Sequence, residues 1–354
     1  MTDAIRITRA TTKKPRPKDD ELGFGTVFTD HMFVADFQEE KGWYDPRIEP
    51  YGPLPLDPAA AVLHYAQAIF DGLKAFRGQD GRVRLFRPQK HVERLNNSAE
   101  RLCIPPLDPE LALRSLVELV RLEQAWVPSS VGTALYVRPV IIASEPFLGV
   151  RPAKSYIYYV ILSPVGAYYA EGLNPVRIRV EDKEIRAIPG MGAAKTGGNY
   201  AASLHAAEQA HRAGFTQVLW LDAVHRTYVD EVGTMNIMFR LGDEVVTPPL
   251  AGTILPGVTR DSALTLMREW GLRVAERQIA IDEVLDAARS GRLREAWGTG
   301  TAAVISPVGE LAYKDERLTI GGGKIGELTR RLYTAIVDIQ YARVPDTHGW
   351  TVPV

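Results

Sequence analysis

Three apolar runs, Ala134–Ala143, Tyr156–Ser163 and Val176–Val180, follow one another along the chain with no helical segment between them. Parallel strands need a crossover of a dozen or more residues, usually a helix. Here strands outnumber crossover helices, and neither a regular βαβ alternation nor a repeat is present. The expectation is an α+β protein with mostly antiparallel sheets and flanking helices. Helices are predicted from Asp57-Pro58 through Tyr65 and Phe70, from Pro88 through Arg94 to about Leu102, and from Asp108-Pro109 to near Trp126, each opened by a proline at its first position. Residues 1–22 read as a flexible arm, Phe28–Phe37 as a strand, and Asp45–Pro58, with five prolines, as an extended loop. Further on, Asn199–Arg212, Gly257–Trp270 and Asp282–Arg289 read as helices. Gln217–Leu221, Leu293–Trp297 and Ala302–Ser306 read as strands, and Asn236–Leu241 with Val245-Val246 as a hairpin around Gly242-Asp243.

The chemistry is concentrated at Lys195-Thr196-Gly197-Gly198-Asn199-Tyr200, a lysine followed by a two-glycine turn and an alanine-rich helix. A lysine amine is a useful nucleophile toward a carbonyl, and pyridoxal phosphate is the common carbonyl partner. The glycines let the backbone turn beside a cofactor where a Cβ would clash. Tyr200 is near enough in sequence to reach the same ring. A nucleotide phosphate loop is the competing reading of Gly190-Met-Gly-Ala-Ala-Lys195-Thr196. That loop needs glycine immediately before the lysine, where this chain has Ala194, and an apolar strand feeding it, where Lys183-Glu184-Ile185-Arg186 is polar.

With 354 residues, 45% of them apolar and 24% charged, the chain has room for two domains with full cores. A net charge of -1 gives no electrostatic reason to expect nucleic acid or an anionic membrane as a partner. The one cysteine, Cys103, excludes an internal disulfide and a multi-cysteine metal site. The seven histidines show no ligand spacing, so no metal is expected. The polar, mixed-charge start of the chain lacks the apolar core of a signal peptide, and a cytoplasmic location is the expectation.

A pyridoxal phosphate enzyme also needs an acid for the pyridine nitrogen and a cup for the phosphate. Asp230-Glu231-Val232-Gly233-Thr234-Met235-Asn236 places a carboxylate just before a glycine turn. Leu255-Pro256-Gly257-Val258-Thr259-Arg260 runs from a loop into a helix, where free N–H groups and the helix dipole converge on an anion. Gly298-Thr299-Gly300-Thr301-Ala302-Ala303 offers a second set of amides and hydroxyls. Each alone is also an ordinary turn or helix start.

Taken in order, these segments resemble the branched-chain amino acid aminotransferases of the fold-type IV pyridoxal phosphate family, in its long form. The resemblance spans nearly the whole chain. It includes Phe24-Gly-Thr-Val-Phe-Thr-Asp-His-Met32, Leu63-His-Tyr-Ala-Gln-Ala-Ile-Phe-Asp-Gly-Leu-Lys-Ala-Phe76, Leu85-Phe-Arg-Pro88, Tyr136-Val-Arg-Pro139, Ser163-Pro-Val-Gly166 and, from the segments above, Lys195–Tyr200, Glu231–Asn236, Leu255–Arg260 and Gly300–Ala303. It implies a smaller N-terminal domain over 1–167, an interdomain loop over 168–176 and a larger cofactor-binding domain over 177–354, assembled as a homodimer. The activity implied is transamination of L-leucine, L-isoleucine and L-valine with 2-oxoglutarate by ping-pong chemistry. D-amino acid aminotransferases and aminodeoxychorismate lyases share the fold and are the alternatives.

The resemblance also implies residue roles. Lys195 would carry pyridoxal 5′-phosphate as a Schiff base and shuttle the proton. Glu231 would pair with the pyridine nitrogen and Tyr200 with the phenolic oxygen. Arg94, the amides of Val258 and Thr259, and Thr301 would hold the phosphate. Tyr65, Arg138 and the amides of Thr301-Ala302 would surround substrate carboxylates, while Phe24, Phe70, Tyr136 and Thr234 would line an apolar pocket. Tyr168 would sit on the interdomain loop, and Leu148 and Val150 would reach in from the partner subunit. Mammalian members carry a Cys-x-x-Cys pair where this chain has Ala303 and Ser306, so a thiol–disulfide switch there is ruled out.

Overall fold

The structure, a computed structural model, describes residues 4–166 and 173–354. The chain divides into two compact units. The first is Met1–Tyr168 with Ala194–Gly197 and Asp338–Val354, and the second is Tyr169–Ala193 with Gly198–Val337. The sequence reading had drawn one break near 168–176; the structure groups the lysine segment and the C-terminal tail with the first unit. Tyr168 lies outside the described residues.

The first unit contains β1 (Arg6–Ile7), β2 (His31–Gln38), β3 (Gly42–Pro50), β4 (Ala68–Phe70), β5 (Leu73–Arg77), β6 (Val83–Phe86), β7 (Ala134–Ala143) and β8 (Ser155–Val165). The second contains β9 (Val176–Glu181), β10 (Gln217–Leu221), β11 (Val229–Val232), β12 (Met235–Leu241), β13 (Glu244–Thr247), β14 (Arg273–Glu276), β15 (Leu293–Gly300), β16 (Val304–Tyr313) and β17 (Glu316–Thr319). The chain ends on β18 (Thr351–Pro353), an edge strand of the first unit beside β6. The first sheet runs β1-β3-β2-β8-β7-β5-β6-β18, with β4 on β7, and is antiparallel except at β1/β3. The second runs β11-β10-β9-β16-β15-β12-β13-β14, with parallel pairs only at β9/β10, β9/β16 and β13/β14. The predicted mostly antiparallel α+β architecture is what is found.

Side-chain alternation in the first sheet separates core from site. On β7, Leu135, Val137 and Ile141 are fully buried against the two long helices α2 (Pro88–Arg101) and α3 (Pro109–Leu122), preceded in the chain by the short α1 (Ala61–Tyr65). Tyr136 and Arg138 therefore point from the opposite face. Helix α2 buries Val92, Leu95 and Ala99 at helical spacing, and α3 buries Ala112, Leu116, Leu119 and Val120. The second unit adds α4 (Gly197–Arg212), α5 (Val258–Glu269), α6 (Ile281–Arg289) and α7 (Glu327–Gln340). Among the described residues no helix is long and apolar enough to cross a membrane.

Four expectations need correction. The helix predicted through Phe70 is only Ala61–Tyr65: Ala66 adopts a left-handed conformation (φ 51°) that ends it, and Ala68–Phe70 pair with β7 instead. The loop predicted from Asp45 is partly β3, where Pro46 sits at a register shift, Pro50 ends the strand, and β1 pairs only with Arg47 and Ile48. The arm before Leu22 is laid on the first unit, with Thr8 N–H donating to Ile48 O at 2.8 Å. Thr301–Ala303 form a hairpin loop, and the strand begins at Val304.

Candidate active site

In the first unit Lys195 is fixed by its backbone on both sides. Its N–H donates to Ser98 Oγ at 2.9 Å, and its carbonyl accepts from Phe70 N–H at 3.0 Å. Next door, Thr196 Oγ1 donates to Ala68 O at 2.8 Å and forms a bridge with Ile69. The Lys195 ammonium lies 5.0 Å from the centre of the Phe70 ring. Burial, and then the positive charge of Arg94, push this amine down to about 8, against smaller opposing effects of Asp71 and Tyr136.

Arg94 projects from α2 toward Asp71, the residue after β4. Its Nε and Nη2 each donate to the carboxylate at 2.8 Å, and His91 Nδ1 lies 2.7 Å from the same group. Asp71 also accepts from Gly72 N–H at 2.7 Å. Asp71 is fully buried, yet the Arg94 charge and this hydrogen-bond set outweigh desolvation and hold its carboxyl far below the usual range. The reverse holds for His91, where burial wins and lowers its proton affinity. Ser98 Oγ, which accepts from Lys195, donates to Arg94 O at 3.0 Å, so the lysine and the arginine share one helix turn as their support.

A second cluster sits on the site face of β7. The Arg138 guanidinium lies 4.8 Å from the Phe70 ring centre and donates from Nη2 to the Tyr136 hydroxyl at 3.0 Å. Phe24 meets the Tyr136 ring edge-to-face at 5.2 Å. Gly72 makes this possible, since a Cβ there would be 1.8 Å from the Tyr136 hydroxyl oxygen. Three of the four predicted pocket residues, Phe24, Phe70 and Tyr136, are thus joined with Arg138, and Phe70 lies beside the Lys195 amine. Tyr65, Leu148 and Val150 stand instead on the exposed surface of this unit, where the Tyr65 hydroxyl donates to the Leu148 carbonyl.

In the second unit Glu231 is buried on β11. Arg186 Nε lies 2.6 Å from its Oε2, and Asn236 Nδ2 and Leu255 N–H donate to Oε1 at 3.0 and 3.2 Å. Asn236 Nδ2 also donates to Leu255 O at 2.9 Å, tying the acid to the loop that leads into α5. Glu231 pairs with Asn236, and Asn236 with Thr299, so the β15–β16 hairpin loop with Thr301 and Ala302 leaves the same end of the sheet. The amides of Val258 and Thr259 open α5 after Gly257, where a Cβ would be 1.9 Å from Asn236 Oδ1. Thr234 is exposed in the turn after β11, and Tyr200 is half-buried on α4. Among the described residues no group of three or more His, Cys, Asp or Glu is placed to hold a metal ion.

Sequence reasoning gave no role to Asp71, Ser98, Arg186 or Asn236. Asp71 and Asn236 lay inside quoted motifs, where a polar residue flanked by apolar ones was the available signal. Arg186 lay in a stretch read only as polar, and nothing local distinguishes it from a solvated arginine.

Residues 68–311 match the amino-transferase class IV family. The chain is 55% identical to branched-chain-amino-acid aminotransferase 2 of Bacillus subtilis (strain 168), covering 99% of this chain and 97% of that one. The branched-chain amino acid aminotransferase of Escherichia coli superposes with a TM-score of 0.75 at 25% identity, covering 91% of this chain and 98% of that one. The T.th. branched-chain amino acid aminotransferase complexed with N-(5′-phosphopyridoxyl)-L-glutamate gives 0.73 at 25% identity, covering 90% and 97%. The chain belongs to the class IV aminotransferases and, within them, to the branched-chain amino acid aminotransferases.

Proposed function

We propose that this enzyme moves the amino group of L-leucine, L-isoleucine or L-valine to 2-oxoglutarate, in two half-reactions, with pyridoxal 5′-phosphate carried on Lys195. The observation that carries the reading is the amine itself: pushed down to about 8, it has an accessible neutral form near neutral pH that an ordinary lysine lacks. When bound, the cofactor supplies the electron sink for the negative charge left at the substrate Cα.

The residues present fit that group. Lys195 would hold the cofactor through its amine and would carry the proton taken from the substrate Cα. Glu231, its charge balanced by Arg186 and its position fixed by Asn236, is a buried anion suited to a protonated ring nitrogen. Tyr200 takes the phenolic oxygen. The amides of Val258 and Thr259, Thr301, and Arg94, whose orientation is set by Asp71, would hold the phosphate.

Phe24, Phe70 and Tyr136 offer a branched aliphatic side chain three aromatic faces, and Thr234 is the fourth residue proposed for that role. Arg138 would serve the second carboxylate of 2-oxoglutarate; it lies over Phe70 and donates to the Tyr136 hydroxyl, so its charge is not stranded in an apolar pocket. The adduct named for the T.th. enzyme, a phosphopyridoxyl-L-glutamate, supports glutamate as the second partner. Tyr65 and the Thr301-Ala302 amides take the α-carboxylate. The exposed apolar residues Tyr65, Leu148 and Val150 support a homodimer in which Leu148 and Val150 serve the partner's pocket.

The test is the absorption spectrum of the holoenzyme titrated with L-leucine, followed by 2-oxoglutarate. Loss of the near-visible band with L-leucine and its return with 2-oxoglutarate would support the cycle. A band indifferent to L-leucine but bleached by a D-amino acid would move the chain to the D-specific branch. Lys195→Ala should remain folded, show no covalent cofactor band and turn over nothing.

A further inference from the structure

We infer that residues 4–23 form a strap that positions Phe24 against Tyr136, and that the buried side chains of His31 and Asp30 are its latch. This rests on the reading of Phe24 and Tyr136 as pocket walls.

After Thr8 the arm leaves its strand partner, and its backbone donors need other acceptors. Two of them are met by side chains at the start of β2. Ala10 N–H donates to His31 Nε2, and Lys14 N–H donates to Asp30 Oδ1, both at 2.8 Å. Both acceptors are buried and are themselves held from behind. Trp126 Nε1 donates to Asp30 Oδ2 at 3.2 Å, and His31 Nδ1 bonds Glu123, itself buried at the end of α3. Since His31 Nε2 accepts, its ring proton is on Nδ1 and is donated to Glu123. Lys14 adds a bond from Nζ to Thr29 O at 2.9 Å and lies over the Tyr51 ring at 4.1 Å.

The arm then continues to the pocket. Asp19 Oδ2 accepts from the amides of Ser129 and Ser130 at 2.9 and 2.8 Å. Gly23 O accepts from Gly166 N–H at 3.0 Å, and Leu22 O presses so close that a Cβ on Gly166 would be 2.4 Å from it. The next residue is Phe24, edge-on to Tyr136, and Gly25 (φ 73°) turns the chain away.

From Ala4 to Gly23 no residue of the arm is buried. Ordering such a segment costs conformational entropy without a core to offset it. Three buried polar residues, His31, Asp30 and Glu123, are committed instead to fixing its path. What that path delivers is the ring of Phe24.

The deciding experiment compares Ala10→Pro, which deletes the donor to His31, with Ala10→Ser, which keeps it. Two readouts are needed: the rate of tryptic cleavage after Lys13 and Lys18, which no proline follows in either variant, and KM against kcat for L-leucine. The expected result is faster cleavage of Ala10→Pro and a several-fold higher KM with kcat little changed, while Ala10→Ser behaves as wild type. Phe24→Ala should reproduce the KM rise without the faster cleavage. Cleavage unchanged in Ala10→Pro would mean that His31 does not latch the arm. Faster cleavage with KM unchanged would mean that the strap does not position Phe24. Wild-type enzyme that turned over no L-leucine would sink the aminotransferase reading instead, and the trypsin comparison would still decide the latch.

Discussion

Asp71 and Arg94 form a two-pronged pair, Nε to Oδ2 and Nη2 to Oδ1, each 2.8 Å and both groups buried. The pair links β4 to α2 and holds the arginine from which the site takes its positive charge. Removing one partner of a buried pair strands the other, at a cost of about 3–5 kcal/mol. Asp71→Asn should therefore lower the unfolding free energy at pH 7 by about that amount, read from urea denaturation. The Asp71 carboxyl is held far below its usual range, so its contribution is fully present above the unfolded value of ~3.9 and fades only as pH falls below it. The wild type should thus lose its advantage over Asp71→Asn in acid, while a gap that persisted unchanged at low pH would count against the charge argument.

Lys195 gives a pH dependence of the same sign but in a higher window. Its amine is lowered to about 8, so the unfolded chain binds more protons than the native state from there up to the ordinary lysine value of ~10.4, and stability gains with pH across that window. On the proposed role of Lys195, the same shift sets the pH dependence of cofactor capture. Apoenzyme mixed with pyridoxal phosphate should bind it faster as pH rises, with a midpoint near 8, followed by the near-visible absorbance. A midpoint near that of a free lysine would show that burial and Arg94 do not tune this amine.

Gly72 is the contact that lets the Tyr136 hydroxyl reach Arg138. In Gly72→Ala the new Cβ would be 1.8 Å from that hydroxyl, so the tyrosine must swing away and leave Arg138 without it. Overpacking of this kind costs about 1–3 kcal/mol. On the proposed role of Arg138 toward the dicarboxylate, KM for 2-oxoglutarate should rise by roughly tenfold or more, a loss of ~1.4 kcal/mol, with a smaller change for L-leucine. Steady-state kinetics with each substrate varied in turn would check it, and equal effects on both would argue for general collapse of the pocket.

The antiparallel sheets were legible because long apolar runs such as Ala134–Ala143 and Gln217–Leu221 leave little choice of structure, and both strands are found there. The hairpin at Gly242-Asp243 was legible for the same reason, with Gly242 at φ 62°. The helix predicted through Phe70 failed because Ala66 adopts a conformation that alanine rarely takes, which no propensity announces. The path of the arm was hidden too, since its order comes from His31 and Asp30, remote acceptors that carry no local pattern. At the site, motif residues such as Lys195 and Glu231 could be named from sequence. Their supports could not, because Ser98 and Arg186 matter only through the partners that folding brings to them.

Arg186 illustrates this. Its Nε lies 2.6 Å from the Glu231 carboxylate, while its Nη2 donates to the Gly192 and Thr253 carbonyls at 2.8 and 3.2 Å, so backbone anchors fix the guanidinium beside the acid. Arg186→Met would leave Glu231 buried opposite a neutral side chain, its position still held by Asn236 and the Leu255 amide. Displacing a reacting group by an ångström can cost roughly 100-fold in rate. The expected outcome is a loss of kcat on that scale together with weaker retention of pyridoxal phosphate on dialysis, followed by absorbance. Arg186→Lys, which restores the charge but not the forked geometry, should recover retention more than rate. If Arg186→Met retained both cofactor and turnover, the guanidinium would have no part in setting Glu231, and Asn236 would be its sufficient support.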